Sequence, residues 1–478
     1  MMSNDLKRTL NLPDSISIVI GSMIGSGIFL VSADIARQVD SAWLLMVVWF
    51  VAGLTSLSGA MAYGELATNI TDAGGQYMYL KKIFNDLTAF LYGWTLLLMI
   101  QSAAIAAICI ATAKFLGIIV PFVSSEIFIF NFAGHHFLST QQIIALATCI
   151  LLTYINSRGV KSGVITQNIF TVTKILSVIA IILCGIFVGF NWEVVNSNFP
   201  QGCAVFEFSR SNIEMIATAT VGALFATITW NNLTFITGEI IEPEKNVPRA
   251  LVIGVGSVVI LYLLVNAVYV FTIPLDTIKT VNEDIVAAAA MSAMFGKIGE
   301  IIIAIIIMIS TFGCANGMIM TGARVYYQMA KDRLFFSKLA HLDDKTDVPA
   351  NSLWAQCAWI CLLILFCGNY TELLDYVIYS ALIFYVITTI GIFVFRYKFP
   401  ESEQKLRINS FYGLFFIFAS SYIIYSLTLH KTLHSMRALG LVLLGIPVYL
   451  FWKKFGSHNK MKPVETVVEE RSEEEIQK

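Results

Sequence analysis

The sequence predicts an all-α integral membrane protein of about twelve spanning helices. Of 478 residues, 57% are hydrophobic and only 13% charged, and the mean hydropathy is +0.74. The apolar residues also fall into runs of spanning length between charged or Pro/Gly-containing junctions. So little polar surface cannot cover a water-soluble globule of this size. About 270 apolar residues, at the roughly 20 that one crossing needs, allow on the order of a dozen helices and leave little for soluble domains. A single-anchor receptor and a large extramembrane enzyme are thereby excluded.

Taken in order, the spans are expected near 15–37, 42–66, 87–119, 141–157, 163–190, 213–239, 248–273, 298–325, 351–368, 371–395, 409–429 and 435–454. Residues 1–14 are polar and lack the apolar core of a signal peptide, so the first span is expected to stay in the mature chain. Lys and Arg set the orientation: about 23 lie at alternate junctions beginning with the N-terminus and about 6 at the opposite ones. Both termini are therefore expected in the cytoplasm. The segment 63–84 is too polar to span and is expected to hold a short re-entrant or interfacial helix. Residues 323–336, with basic residues at the far end, read as an interfacial anchor. Residues 455–478 read as a charged cytoplasmic tail.

The formal net charge of −1 argues against nucleic acid as a partner. Seven of the eight cysteines lie in apolar runs and only Cys203 in a loop, so no disulfide framework is expected. Cys357 and Cys361 stand one helical turn apart, but no His or carboxylate lies within their span, so no metal is expected. His430 and His434 read as solvated loop residues. Glu65, Asp72, Glu239 and Glu242 are expected to pair with Lys81, Lys245 or Arg249 rather than carry protons. No P-loop, GxSxG or HExxH is present, so neither ATP-driven transport nor hydrolysis is expected; no catalytic residue and no cofactor is assigned.

Three features inside the spans carry chemistry. Gly21, Gly25 and Gly27 fall within seven residues of the first span. They suit close helix packing, or an unwound segment whose free N–H groups hold a carboxylate. In the sixth span, Trp230, Asn231 and Asn232 put an indole N–H and two amides inside an apolar run, where each polar group is costly unless satisfied. Interrupted spans in matching halves of a chain point to a transporter site. Lys174, about eleven residues from either end of its helix, is too deep to snorkel. It reads as a cap on broken-helix carbonyls, or as a cation that replaces a bound ion or cycles its proton.

The stretches GSMIGSGIF, YGELATNITDAGGQYMYL, WNNLTFITGEIIEPEKNVPRAL and GARVYYQMAKDRLFF occur here in that order. Together they resemble the amino acid-polyamine-organocation (APC) superfamily, and within it the L-type amino acid transporter (LAT) family. The resemblance covers roughly residues 8–400. It implies the leucine-transporter fold: a ten-helix core over 15–395 made of two inverted repeats (15–190 and 213–395) with broken first and sixth helices, then two more helices over 396–454. It implies that the substrate carboxylate meets backbone around Met23, Gly25, Ser26 and Gly27, that the amine meets carbonyls near Met23, Phe225 and Ile228, and that Phe225 closes over the substrate. Asn231 is expected beside them.

By the same resemblance, Lys174 takes the place of a sodium ion between the first and eighth helices, with Ser310 and Thr311 beside it. A sodium ion there would meet like-charge repulsion. Relatives carry glycine before the sixth-span tryptophan, whereas this chain has Ile228 and Thr229, which implies a smaller pocket. Animal members join a glycoprotein partner through a cysteine between the third and fourth helices. None occurs at 121–140, so no disulfide-linked heavy chain is expected, and the implied location is a bacterial plasma membrane. The function implied is sodium-independent exchange or proton-linked transport of small to medium neutral L-amino acids by alternating access. A polyamine or cationic amino acid carrier of the same fold is the alternative, and a channel or membrane sensor a more distant one.

Overall fold

The computed structural model describes residues 8–132, 135–200, 210–281, 285–343, 346–366, 370–399 and 405–455. Cys203, Cys367 and the tail beyond 455 lie outside the described residues. Helices dominate. In chain order they are α1 (Leu12–Met23), α2 (Gly27–Val39), α3 (Ala42–Asn69), α4 (Gln76–Ile83), α5 (Asp86–Thr95), α6 (Gln101–Ile119), α7 (Thr140–Ser157), α8 (Val160–Cys184) and α9 (Trp192–Asn198), followed by α10 (Arg210–Thr227), α11 (Asn232–Phe235), α12 (Pro243–Thr272), α13 (Leu275–Thr280), α14 (Val286–Lys331), α15 (Ala350–Phe366), α16 (Tyr370–Lys398), α17 (Ser410–His430) and α18 (Thr432–Phe455). A short hairpin, β1 (Phe128–Phe132) with β2 (His135–Ser139), precedes α7.

Among the described residues, nine helical stretches are long and apolar enough to cross a membrane, or ten when α1 and α2 count as one bent span. The other two expected spans are helices of 18 and 17 residues, α7 and α15, at the lower end of spanning length. Asn11 starts the first helix three residues earlier than expected. It forms a capping box with Asp14, whose N–H donates to Asn11 Oδ1 at 2.9 Å. The 46 residues of α14 would reach about 70 Å if straight, twice a bilayer core. Gly296, at φ +60°, turns the chain inside this stretch, a backbone conformation that glycine adopts without steric cost.

The polarity of α8 is inverted relative to a soluble helix. Ile165, Ile169, Val172, Leu176, Ile179 and Leu183 form an exposed apolar stripe, while Gln167, Thr171 and Lys174 are buried on the opposite face. Both stripes follow the alternating three- and four-residue spacing of a helix. Such an arrangement suits a lipid solvent outside and a polar interior. That interior stripe carries Lys174 to α1.

At the end of the bundle where α1 begins, the short helix expected within 63–84 is present as α4, with Gln76, Tyr77, Met78, Tyr79, Leu80 and Ile83 buried, while α3 takes the first part of the segment and continues to Asn69. Within 323–336, Arg324 is buried against Glu239, both side chains 1% exposed, with Nε 2.8 Å from Oε1, whereas Lys331 and Arg333 at the far end are exposed. Glu65 pairs with Arg396 at 2.6 Å, Asp72 with Lys82, and Lys81 with Asp332 at 2.8 Å. Of the pairs expected from sequence, Glu242–Lys245 is present, at 3.2 Å on the surface.

Removing one partner of a buried ion pair strands the other charge, at a cost of about 3–5 kcal/mol. Arg324→Met should therefore lower the thermal unfolding midpoint in detergent by many degrees, and Arg324→Met with Glu239→Leu should recover most of the loss. A single variant that melts like the parent would contradict the burial.

Candidate functional site

Two helices are broken at the centre of the bundle. The first break is Ile24–Gly25–Ser26, between α1 and α2, which are bent by 40°. A broken helix frees carbonyl groups that no water in the bilayer core can satisfy. Here four consecutive carbonyls each receive a side-chain donor. Lys174 Nζ donates to Gly21 O at 2.6 Å, Thr229 Oγ1 to Ser22 O at 2.9 Å, Tyr262 Oη to Met23 O at 2.7 Å, and Ser310 Oγ to Ile24 O at 3.1 Å. Cys314 Sγ adds a contact to Ser22 O at 2.9 Å. The donors come from α8, the second break, α12 and α14. Ser26, the N-cap of α2, makes no side-chain capping bond to the first turn of that helix.

The glycines around this break serve close approach as well as unwinding. A Cβ on Gly21 would stand 2.0 Å from Gln167 Nε2, on Gly25 2.9 Å from Cys314 Sγ, and on Gly27 2.6 Å from Ala226 Cβ. Each touches a different helix, so both sequence readings of the glycines describe part of the local structure.

The second break follows α10. Ile228 leaves the helix, Thr229–Asn231 make one 3₁₀ turn, and the four-residue α11 follows. Tyr262 Oη also lies 3.4 Å from Ala226 O, so one hydroxyl bridges the two broken helices. Tyr385 Oη donates to Ile228 O at 3.3 Å. Trp230 is fully buried, edge-on to Tyr63 and stacked with Tyr385. The costly amides are satisfied: Asn231 Nδ2 donates to Gln76 Oε1 at 2.7 Å, and Asn232 Oδ1 accepts from Gln101 Nε2 at 3.1 Å.

A cavity of about 30 Å³ sits beside the second break, walled by Phe225, Ile228, Thr229 and Asn232 with residues of α5, α6, α14 and α16, including Gln101, Met318 and Tyr385. That is room for about two water molecules. The five-residue π-helical stretch Leu96–Ile100 between α5 and α6 supplies part of the wall, a distortion that recurs at functional sites.

The residues expected to act together are mostly adjacent. Met23, Gly25, Ser26 and Gly27 lie at the first break. Phe225 and Ile228 line the cavity, and Lys174 and Ser310 touch the first break directly. Two lie elsewhere. Asn231 faces α4 instead of the cavity, where Asn232 stands in its stead, because the 3₁₀ turn rotates the chain between them. Thr311 Oγ1 donates to Ile307 O at 3.0 Å and lies 2.8 Å from Thr112 Oγ1. It therefore faces α6 rather than Lys174, as a neighbour of Ser310 on a helix must point to another side. Sequence reasoning missed Gln101, Tyr262 and Tyr385. Gln101, an amide inside an apolar run, was detectable by the same rule that singled out Asn231. Thr229 was read for its bulk, yet its hydroxyl makes the contact.

Two interrupted membrane helices in direct contact, with a small internal cavity beside the second, are the pattern of a transporter site. The family profile described as "Amino acid permease" matches residues 10–446, and the chain belongs to that family, within the APC superfamily. The chain is 29% identical over 460 residues to "Large neutral amino acids transporter small subunit 2" of Homo sapiens, covering 94% of this chain and 81% of the relative. It is 27% identical over 434 residues to "b(0,+)-type amino acid transporter 1" of Mus musculus, covering 89% and 83%. It is thus a multi-pass membrane protein of an amino acid transporter family that resembles the LAT group.

Adding a methyl group at Gly27 would force α2 from α10, an overpacking cost of about 1–3 kcal/mol. Gly27→Ala should reduce amino acid uptake by about tenfold. Gly256→Ala, where a Cβ meets nothing within 4 Å, should leave it unchanged. Equal uptake by both variants, measured at matched membrane levels, would contradict this packing.

Proposed function

We propose that the chain is a sodium-independent secondary transporter of small to medium neutral L-amino acids, working by alternating access. The observation that carries this reading is Lys174 Nζ, 1% exposed and 2.6 Å from Gly21 O at the first break. A fixed ammonium there supplies the positive charge that a bound sodium ion would supply, and repels such an ion. Ser310 steadies the neighbouring carbonyl of Ile24. Thr311 supports α14 against α6 in this reading rather than touching the ammonium.

The carboxylate of the substrate would bind at the start of α2, on the N–H groups around Gly25, Ser26 and Gly27, where the helix dipole favours an anion. The amine would meet the carbonyls of Met23, Phe225 and Ile228. Tyr262 and Tyr385 already donate to Met23 O and Ile228 O, but a carbonyl has two lone pairs and can accept the ammonium too. Phe225 would close over the bound molecule. A space of about two waters means that side chains must move for any amino acid to enter. The Ile228 and Thr229 side chains on the wall favour small and medium substrates, although one relative is named for large neutral ones. A cationic side chain or polyamine would need an acidic partner, and no Asp or Glu lines the cavity among the described residues.

The surrounding layout is proposed on the same footing: two inverted five-helix repeats over 15–190 and 213–395, each opening with a broken helix, both termini cytoplasmic, and a bacterial plasma membrane as the location. A loop without cysteine between α6 and α7 favours function without a disulfide-linked partner.

In proteoliposomes, uptake of labelled neutral amino acids should persist when sodium is replaced by choline. A steep sodium requirement would contradict the reading. Repeating the assay with and without internal amino acid, and across a pH gradient, separates exchange from proton coupling. Lys174→Ala should cut uptake at least tenfold while insertion and folding persist, and unchanged uptake would remove the lysine from the mechanism.

A further inference from the structure

A second cluster of reactive side chains lies away from both breaks. Cys149 on α7 meets Cys357 on α15, with sulfurs 3.8 Å apart. Cys361, one turn further along α15, completes a group whose three sulfurs lie within 4.8 Å of one another. Cys149 and Cys357 are buried and Cys361 is half-buried. Cys109 on α6 is not a member of this group. Sequence spacing presented Cys357 and Cys361 as an isolated pair. The third ligand arrives from a helix some 200 residues earlier, which no local pattern reveals.

A single buried thiol behaves as a small apolar group, but three converging on one point from two helices offer coordination chemistry. Three sulfurs each about 2.3 Å from a shared ion lie about 4 Å apart, so the observed spacing closes on an ion with shifts under about 1 Å. The ligands are soft and contain no oxygen or nitrogen, which selects copper(I) or zinc over hard cations. Cysteine ligates a metal as the thiolate, so loading either ion releases protons from these thiols, and coordination number is what separates the two. Three donors suit a three-coordinate monovalent ion better than tetrahedral zinc.

We propose that Cys149, Cys357 and Cys361 form a copper(I) site that pins α15 to α7. The site is independent of the transport reading, since it touches neither break.

Purified full-length protein in detergent should be titrated against copper(I) held by a chromogenic copper(I) chelator. The expected result is one equivalent withdrawn by the parent and by Cys184→Ser, whose sulfur stands apart from the cluster. Cys357→Ser and Cys361→Ala should each lose it. Cys361→Ala guards against a folding failure because its side chain is only half-buried, and an unchanged gel-filtration profile is required of each variant. X-ray absorption of the loaded protein should give a first shell of three sulfurs. Copper left wholly with the chelator, or one equivalent retained by both cluster variants, would overturn the proposal.

Discussion

Unwinding a helix in a medium without water exposes peptide carbonyls that must find donors within the protein. The first break meets this demand with side chains from several helices, one of them the buried ammonium of Lys174. Its depth would be costly in isolation; against Gly21 O it becomes part of the solution. Because the donors to Gly21, Ser22, Met23 and Ile24 come from α8, the second break, α12 and α14, the interruption also ties these helices together. Each hydrogen bond contributes modestly on its own, but leaving a partner unmade costs about 1–3 kcal/mol. The break is held open by the same contacts that surround it.

The two breaks are linked through Thr229 and Tyr262. Tyr262 reaches carbonyls on both broken helices, and Thr229, from the second, donates to the first. Under the proposed function, a ligand that took up one of these carbonyls would alter the setting of the other break as well, which is the coupling an alternating-access cycle requires. Farther out, the buried Arg324–Glu239 and Arg396–Glu65 pairs hold the end of the bundle at which α1 begins, beside the packed α4. The small cavity and these pairs together describe a tightly packed arrangement.

Much of the fold was legible because lipid imposes a simple rule: apolar runs of spanning length become helices. Lys174, the glycines at 21, 25 and 27, and the amides of Asn231 and Asn232 stood out for the converse reason, being expensive in such runs. What stayed hidden depends on which way a side chain points. Asn231 and Asn232 are neighbours in sequence, and only the 3₁₀ turn decides which one faces the cavity. Ser310 and Thr311 diverge for the same reason. The burial of Arg324 stayed hidden because its partner Glu239 lies 85 residues away, and Cys149 joined Cys357 only through tertiary packing. The hydroxyls of Tyr262 and Tyr385 gave no signal, since tyrosine is ordinary in a membrane helix.

The central claim is that the interrupted backbone at residues 24–26, braced by Lys174, is where the zwitterion binds. The most direct measurement is a cryo-electron microscopy map of the protein with a neutral amino acid bound, at a resolution that separates side chains. The account predicts the carboxylate at the first turn of α2 and the Lys174 ammonium on Gly21 O. A continuous helix through residues 20–28, or a ligand lodged away from both breaks, would contradict it.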